Sequence, residues 1–489
     1  MADDKKLTTR AADFSAWYNE VVLRAELADY APVRGCMVIR PNGYGIWERM
    51  QRALDDMFKA TGHQNAYFPL LIPESYLAKE AEHVEGFAPE VAVVTHGCGK
   101  KLDEPLIIRP TSETIIYSMF AKWVHSYRDL PLLINQWANV IRWELRTRLF
   151  LRTLEFLWQE GHTAHATHDE AEEETRRMLG VYSDFMEGHM AMPVITGLKS
   201  NAEKFAGALR TYACEAMMQD NKALQAGTSH NLGQNFAKAF DLKFQAEHGG
   251  VEFAWNTSWG VSTRLVGGLV MTHADDNGLR TPPLLAPIEL VIVPIYKTDD
   301  ERTQMLEAAD RVRQMLLDWE RRDPGRLRVH IDDRDGMKPG AKYYEWELRG
   351  VPLRMELGPR DLAKNEAVLV RRDTREKRPV SLNAIGEDVN ELLMRIQDDM
   401  LIAARERREQ NSVRHRISYG DFRELMAGKG GFVYAGWCGD AACESAIKEE
   451  TKATIRVLPD EEFRSAEAPA HCLKCGRAST AEAVWAKAY

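Results

Sequence analysis

A chain of 489 residues is too long for one hydrophobic core, and about three domains are expected. Its 45% hydrophobic and 28% charged residues are those of an ordinary globular protein. The net charge of −9 excludes a protein that coats nucleic acid indiscriminately, though not one with a local basic face.

The N-terminal stretch MADDKKLTTRAADF has no apolar core of a secretory signal, and no run approaches eighteen apolar residues, so neither export nor a membrane span is expected. From there to about residue 285, helices and strands mix without βαβ alternation. GYGIWERMQRALDDMFKATG predicts a helix with Ile46, Met50, Leu54, Met57 and Phe58 on one face. NAYFPLLIP reads as a strand interrupted by Pro69, which suits an edge or a contact with another chain. VAVVTH and PLIIRP flank GCGKKLDE as a hairpin.

RWELRTRLFLRTLEFLWQEGH, at 142–162, puts Arg142 and Glu144 two residues apart on a strand, and therefore on the same face. An internal ion pair or a solvent-facing edge is the simplest account of such a pair alone. THDEAEEETRRMLGVYSDFMEG predicts a long helix with an acidic start. ALQAGTSHNLG and VEFAWNTSWGVS read as strands, and LVGGLVMTHA as a helix. The whole is an α+β domain, 1–285, with an antiparallel sheet.

Prolines cluster in PPLLAPIELVIVPI, and strand and helix then alternate through LVIVPI, ERTQMLEAADRVRQMLLDW, LRVHID, AKYYEWELRG, VPLRMELG and EAVLVRR. That pattern predicts a small α/β domain within 286–400, its sheet largely parallel over 287–385. Beyond the charged helix NELLMRIQDDMLIAARERREQ lies a third domain, 401–489, also α/β. Cys438, Cys443, Cys472 and Cys475 in it give C-x4-C-x28-C-x2-C, a spacing that suits tetrahedral structural zinc, with disulfides as the competing reading. GHTAHATH, with His162, His165 and His168, lacks a cysteine or carboxylate to complete a metal set.

Polar strand ends recur in the first domain: RPTSET at 109–114, RWE at 142–144, GTSH at 227–230 and TSWGVSTR at 257–264. Several in one domain imply one shared cavity. Arg142, Arg152 and Arg264 could surround a triphosphate, with Arg264 at a helix N-terminus where backbone donors favour anions.

These segments resemble the three signature motifs of the class II aminoacyl-tRNA synthetases: the helix with NAYFPLLIP, RWE with its loop, and GVSTRLVGGLV. KEAEHVEGFAPE, RPTSET, EFLWQEGHTAHAT, GTSHNLGQNF and TSWGVSTR are similar to the prolyl-tRNA synthetase family, in its eukaryotic- and archaeal-like branch. The resemblance spans essentially the whole chain. It implies activation of L-proline with ATP and Mg²⁺, transfer to tRNA(Pro), a homodimer, structural Zn²⁺ on the four cysteines and a cytoplasmic enzyme. By resemblance, Arg142, Glu144 and Arg264 are catalytic, and Arg142, Glu144, Arg152, Gln225, Thr228, Ser262 and Arg264 bind ATP. Thr111, Glu113, Arg142, Trp158, Glu160, His162 and His230 form the proline pocket.

The block at 287–385 resembles the family's anticodon-binding domain. Between 341 and 380, ten Lys or Arg stand against seven Asp or Glu, and Glu345, Glu347, Arg349 and Arg354 are candidates to read guanines. The final Tyr489 matches a branch whose terminal carboxylate reaches back to the catalytic domain. Only 112 residues separate Glu144 from Thr257, which leaves no room for an editing insertion, so mischarging with alanine or cysteine is expected, cleared if at all by a separate trans-editing protein. Three rivals stand against this reading, of which a zinc-ribbon nucleic-acid protein explains only the last fifty residues. A non-enzymatic relative would have no need of Arg142, Glu144, Arg152 and Arg264 together, and EFLWQEGH disfavours an enzyme for threonine or glycine.

Overall fold

The alternating run EFLWQEGHTAH becomes the strand Glu155–His165. It lies in an antiparallel sheet ordered Val194–Leu198, Arg210–Met217, Ala223–Gly233, Trp255–Ser262, Glu155–His165, Leu132–Ile141. The computed structural model describes residues 6–77, 91–319 and 327–489, and the string KEAEHVEGFAPE therefore lies outside the described residues.

The period of two sorts this sheet's side chains. Gln159 points to the side of the long helices, where it accepts a hydrogen bond from the Tyr182 hydroxyl at 2.5 Å. Trp158, Glu160 and His162 point the other way, into a cavity. Helix Pro41–Ala60 buries Ile46, Trp47, Met50, Leu54 and Phe58 beneath the sheet, while Met57 is only half-buried. Each fully buried side chain of that size contributes roughly 1.5–3 kcal/mol. Helix His168–Gly188 lies beside it, its start fixed by a reciprocal capping box between Thr167 and Glu170. Gly161 lets the Trp259 indole lie against the sheet: a Cβ there would sit 2.0 Å from the ring.

Three local expectations are corrected. The strand that leads to Arg142 ends at Ile141, so Arg142 and Glu144 lie in the loop beyond it and do not share a strand face. Pro69 falls between the short strands Gln64–Asn65 and Leu71–Pro73, where its missing N–H interrupts no ladder. The hairpin pairs Ala92–Gly97 with Lys100–Ile108 around Cys98 and Gly99, both at positive φ, so most of the expected loop is strand.

The next sheet is mixed, not largely parallel. Val329–Ile331, Leu290–Pro294 and Leu353–Leu357 run parallel, and Glu366–Arg371 and Lys377–Ser381 add antiparallel pairs. Lys377–Ser381 went unread in the sequence because Pro379 interrupts it, which an edge position tolerates. Helix Ile385–Gln410 then runs unbroken through residue 400.

The C-terminal strands Ser412–Val413, Phe432–Trp437, Ala481–Ala486 and Thr454–Pro459 continue the first sheet, because Leu458 pairs with Leu198 and Pro459 with Gly197. Gly197 permits this approach, since a Cβ would stand 2.2 Å from the Leu458 carbonyl oxygen. At the seam, buried Glu215 receives Lys199 Nζ at 2.7 Å and Arg456 Nη2 at 2.9 Å. None of the described helices is long and apolar enough to cross a membrane.

Candidate active site

The polar strand ends enclose a cavity of about 340 Å³. Thr111, Glu113, Arg142, Trp158, Glu160, His162, Gln225, Thr228, His230, Ser262 and Arg264 all line it. Glu144 and Arg152 do not; they pair with each other at 3.0 Å across the loop after Arg142.

At one end, Glu113 opens the helix Glu113–Trp123, where a carboxylate meets the positive end of the helix dipole. The Thr111 hydroxyl donates to it. Glu160, 2% exposed, accepts from Ser112 Oγ at 2.5 Å, from Gln136 Nε2 at 2.7 Å and from His162 Nε2 at 2.9 Å. These donors compensate the desolvation of its carboxylate and fix its orientation. His230 shares a 3.0 Å hydrogen bond with Thr211 Oγ1 and lies 4.6 Å, centroid to centroid, from the Phe205 ring. Burial pushes its pKa down to about 4, so the imidazole is neutral at pH 7.

At the other end, Arg142 donates from Nε to the Pro110 carbonyl at 3.0 Å, and its guanidinium lies against Phe156 and Trp158 at 5.4 and 5.6 Å. Arg264 is the first residue of helix Arg264–His273 and donates from Nε to the Leu151 carbonyl at 3.2 Å. Burial lowers its pKa, and the nearby Arg142 and Arg152 lower it further. Guanidinium groups crowded this way in a partly desolvated site favour an anion between them. Trp158 Nε1 and Ser258 Oγ, both buried in the wall, have no hydrogen-bond partner among the described residues. Carboxylates at one end, guanidinium groups at the other and an indole wall between suit a small zwitterion joined to a polyphosphate.

Sequence reading missed Glu203, Lys204, Phe205, Thr211 and Ser258, which also line the cavity. The first three lie in an irregular loop with no periodicity. Ser258, two residues before Gly260 on the strand Trp255–Ser262, was legible from alternation alone.

The histidines of GHTAHATH diverge. His162 meets Glu160, His165 meets Thr163 Oγ1 at 2.7 Å, and His168 faces Asp169 at 3.1 Å. Among the described residues, metal-type donors gather at Cys438, Cys443, Cys472 and Cys475, with all four Sγ atoms within 4.8 Å of one another. Cys438 stands 3.8 Å from Cys443 and 3.7 Å from Cys475. Zn–S bonds of about 2.3 Å at tetrahedral angles require S···S distances of about 3.8 Å, whereas a disulfide needs about 2.0 Å. The donor set therefore fits zinc. Burial raises the Cys443 thiol while Arg477, 3.3 Å from Cys475 Sγ, lowers that of Cys475. A central dication would draw every sulfur to thiolate.

The four base-reading candidates are all engaged within the chain. Glu345 pairs with Arg334 at 2.6 Å and Arg349 with Glu26 at 2.6 Å. Arg354 pairs with Glu347 at 2.8 Å and Glu356 at 3.0 Å. Tyr489 donates to Asp220 at 2.7 Å, and the Arg148 guanidinium lies 5.7 Å from its ring.

Three family profiles match in succession. The tRNA synthetase class II core domain (G, H, P, S and T) covers 96–273, the anticodon binding domain 289–392, and the prolyl-tRNA synthetase C-terminal domain 419–489. A proline–tRNA ligase of Chlorobium chlorochromatii (strain CaD3) is 57% identical over 494 residues, spanning 100% of both chains. One of Chlorobium phaeobacteroides (strain DSM 266) is 56% identical over 99% of this chain and 100% of that protein. One of Prosthecochloris aestuarii is 54% identical over the same shares.

Proposed function

We propose, from the premise that this chain belongs to the proline–tRNA ligase family of class II aminoacyl-tRNA synthetases, that its cavity activates L-proline with MgATP and passes it to tRNA(Pro). The observation that carries this reading is the meeting of carboxylates that can accept from an ammonium and guanidinium groups that can donate to a phosphate within one 340 Å³ space.

Glu113 and Thr111 receive proline's secondary ammonium, and Trp158 forms a flat wall for its ring. Glu160, His162 and His230 complete that pocket. Arg142 spans the proline carboxylate and the α-phosphate, bringing two anions together that would otherwise repel. Arg264 holds the γ-phosphate, and Gln225, Thr228 and Ser262 line the nucleotide side. Glu144 takes the adenine amino group and Arg152 the outer phosphates, once nucleotide draws them from their mutual ion pair. The carboxylate oxygen attacks the α-phosphorus in line; the P–O bond to pyrophosphate breaks as the acyl–O–P bond forms. The terminal ribose hydroxyl of the tRNA then attacks the activated carbonyl, its proton is lost, and AMP departs. No side chain becomes a covalent nucleophile.

Zinc on the four cysteines holds the C-terminal fold and supplies no chemistry at the cavity, since four thiolates leave no open position. A two-fold dimer is supported by the exposed side chains Tyr67, Leu71, Val93 and Trp123 around Pro69. The enzyme acts in the cytoplasm, and misacylated tRNA is cleared, if at all, by a separate protein. Amino-acid-dependent ATP–pyrophosphate exchange with all twenty amino acids tests the reading. Exchange strongest with proline supports it; exchange with another amino acid, or none from folded zinc-loaded protein, overturns it.

A further inference from the structure

The loop 199–209 contributes Glu203, Lys204 and Phe205 to the cavity, and its outer side is gripped by the C-terminal domain. Ser200 Oγ donates to Glu444 Oε1 at 2.5 Å, both residues being buried. Four residues along the same helix, Ala441–Thr451, Lys448 Nζ reaches Glu203 Oε1 at 3.0 Å. Lys199, at the root of the loop, is tied through Glu215 to Arg456. Within the loop, the Phe205 N–H donates to Thr211 Oγ1 at 3.0 Å, and the same hydroxyl meets His230. A chain of direct contacts therefore runs from helix Ala441–Thr451 through Ser200 and Glu203 to Phe205, whose ring packs on His230.

We propose that Glu444 and Lys448 are positioning residues for the amino-acid pocket, acting through loop 199–209 to hold Phe205 against His230. The inference rests on the reading of that pocket as the proline site. Neither residue lines the cavity, so their loss acts only through the loop. Glu444 carries most of the effect, because its hydrogen bond is charge-assisted and dry. The Lys448–Glu203 pair is more than half exposed on the lysine side and is screened.

The test is proline-dependent ATP–pyrophosphate exchange on full-length zinc-loaded enzyme, with KM for proline, KM for ATP and kcat measured separately. Wild-type exchange with proline is the first arm, and its absence would refute the site reading itself. Given that exchange, Glu444→Ala should raise the KM for proline about tenfold, while kcat and the KM for ATP stay within about twofold. Glu444→Gln keeps an acceptor oxygen for Ser200 and should return the KM to within about threefold of wild type, and Lys448→Ala should raise it about twofold. Should Glu444→Ala fail to fold, Ser200→Ala removes the same hydrogen bond by deleting one oxygen and should give the same KM shift. An unchanged KM for proline in a folded variant would overturn the proposal, as would equal changes in both KM values and kcat.

Discussion

Replacing Glu215 by Gln keeps the side chain's shape and removes its charge from between Lys199 and Arg456. In the native seam both carboxylate oxygens are used: Lys199 Nζ at 2.7 Å and Arg456 Nη2 at 2.9 Å meet one, Arg456 Nε at 3.1 Å the other. All three residues are buried, so the substitution leaves two cations facing each other out of water. Removing one partner of a buried pair costs about 3–5 kcal/mol, and a central value of about 4 kcal/mol corresponds to a roughly thousandfold loss of protection. Native-state hydrogen exchange of the amides in Thr454–Pro459 and Val194–Leu198 reads this opening directly, where a whole-chain melt of several domains would not.

The pH dependence should change as well. Burial raises the Glu215 carboxyl, but Arg456 and Lys199 more than offset it, and the pKa lies below 4.5. Its contribution to stability is thus complete above the unfolded value and is lost as pH falls through the folded one. In the variant that term vanishes and Lys199 dominates. Burial already lowers the Lys199 pKa, against the pull of Glu215, and losing that carboxylate lowers it further. The folded variant then binds fewer protons than the unfolded chain, so its seam should strengthen as pH rises from 7 towards 10. Exchange unchanged to within about 1 kcal/mol, or a variant seam that weakens as pH rises, would refute the reasoning.

Arg142→Ala should reduce proline-dependent pyrophosphate exchange by a hundredfold or more, since about two charge-assisted bonds to reacting anions are lost, with circular dichroism unchanged. Cys443→Ser should drop zinc from about one ion per chain to well below that by elemental analysis, and lower the thermal midpoint. His165 and His230 have folded pKa values pushed to about 4 by burial, below the ordinary 6.5. Stability present above pH 6.5 should therefore decline as pH falls towards 4, and a flat thermal midpoint over that window would contradict neutral burial. Residues appended after Tyr489 should slow exchange roughly tenfold if they disturb the Asp220 bond, which comparison of tagged and tag-cleaved enzyme checks.

The fold was legible where periodicity is strong. Helices such as His168–Gly188, with its capping box, and strands such as Ala223–Gly233 announce themselves by caps and alternation. Cavity residues on strand ends were readable because short polar side chains interrupt apolar runs at places a sheet must bring together. Loop 199–209 was not readable, since Phe205 acquires its place from Thr211 and His230, contacts that no local pattern encodes. The pairing of Glu144 with Arg152 likewise depends on a loop turning back on itself, and a strand read one turn too far hid it. The union of two sheets at Gly197 left only a glycine and a proline as traces.

That union has a consequence for synthesis. Leu198 is paired with Leu458, a residue made 260 positions later. At translation rates of about 5–20 residues per second, the outer strand Val194–Leu198 waits on the order of 10–50 s for its partner. Until then its unpaired N–H and C=O groups offer a template to any neighbouring chain, and a message broken before codon 454 would leave it so permanently. A domain made some 260 residues later thus seals the edge of the first, and chains that stop short of it are the ones exposed to aggregation and clearance.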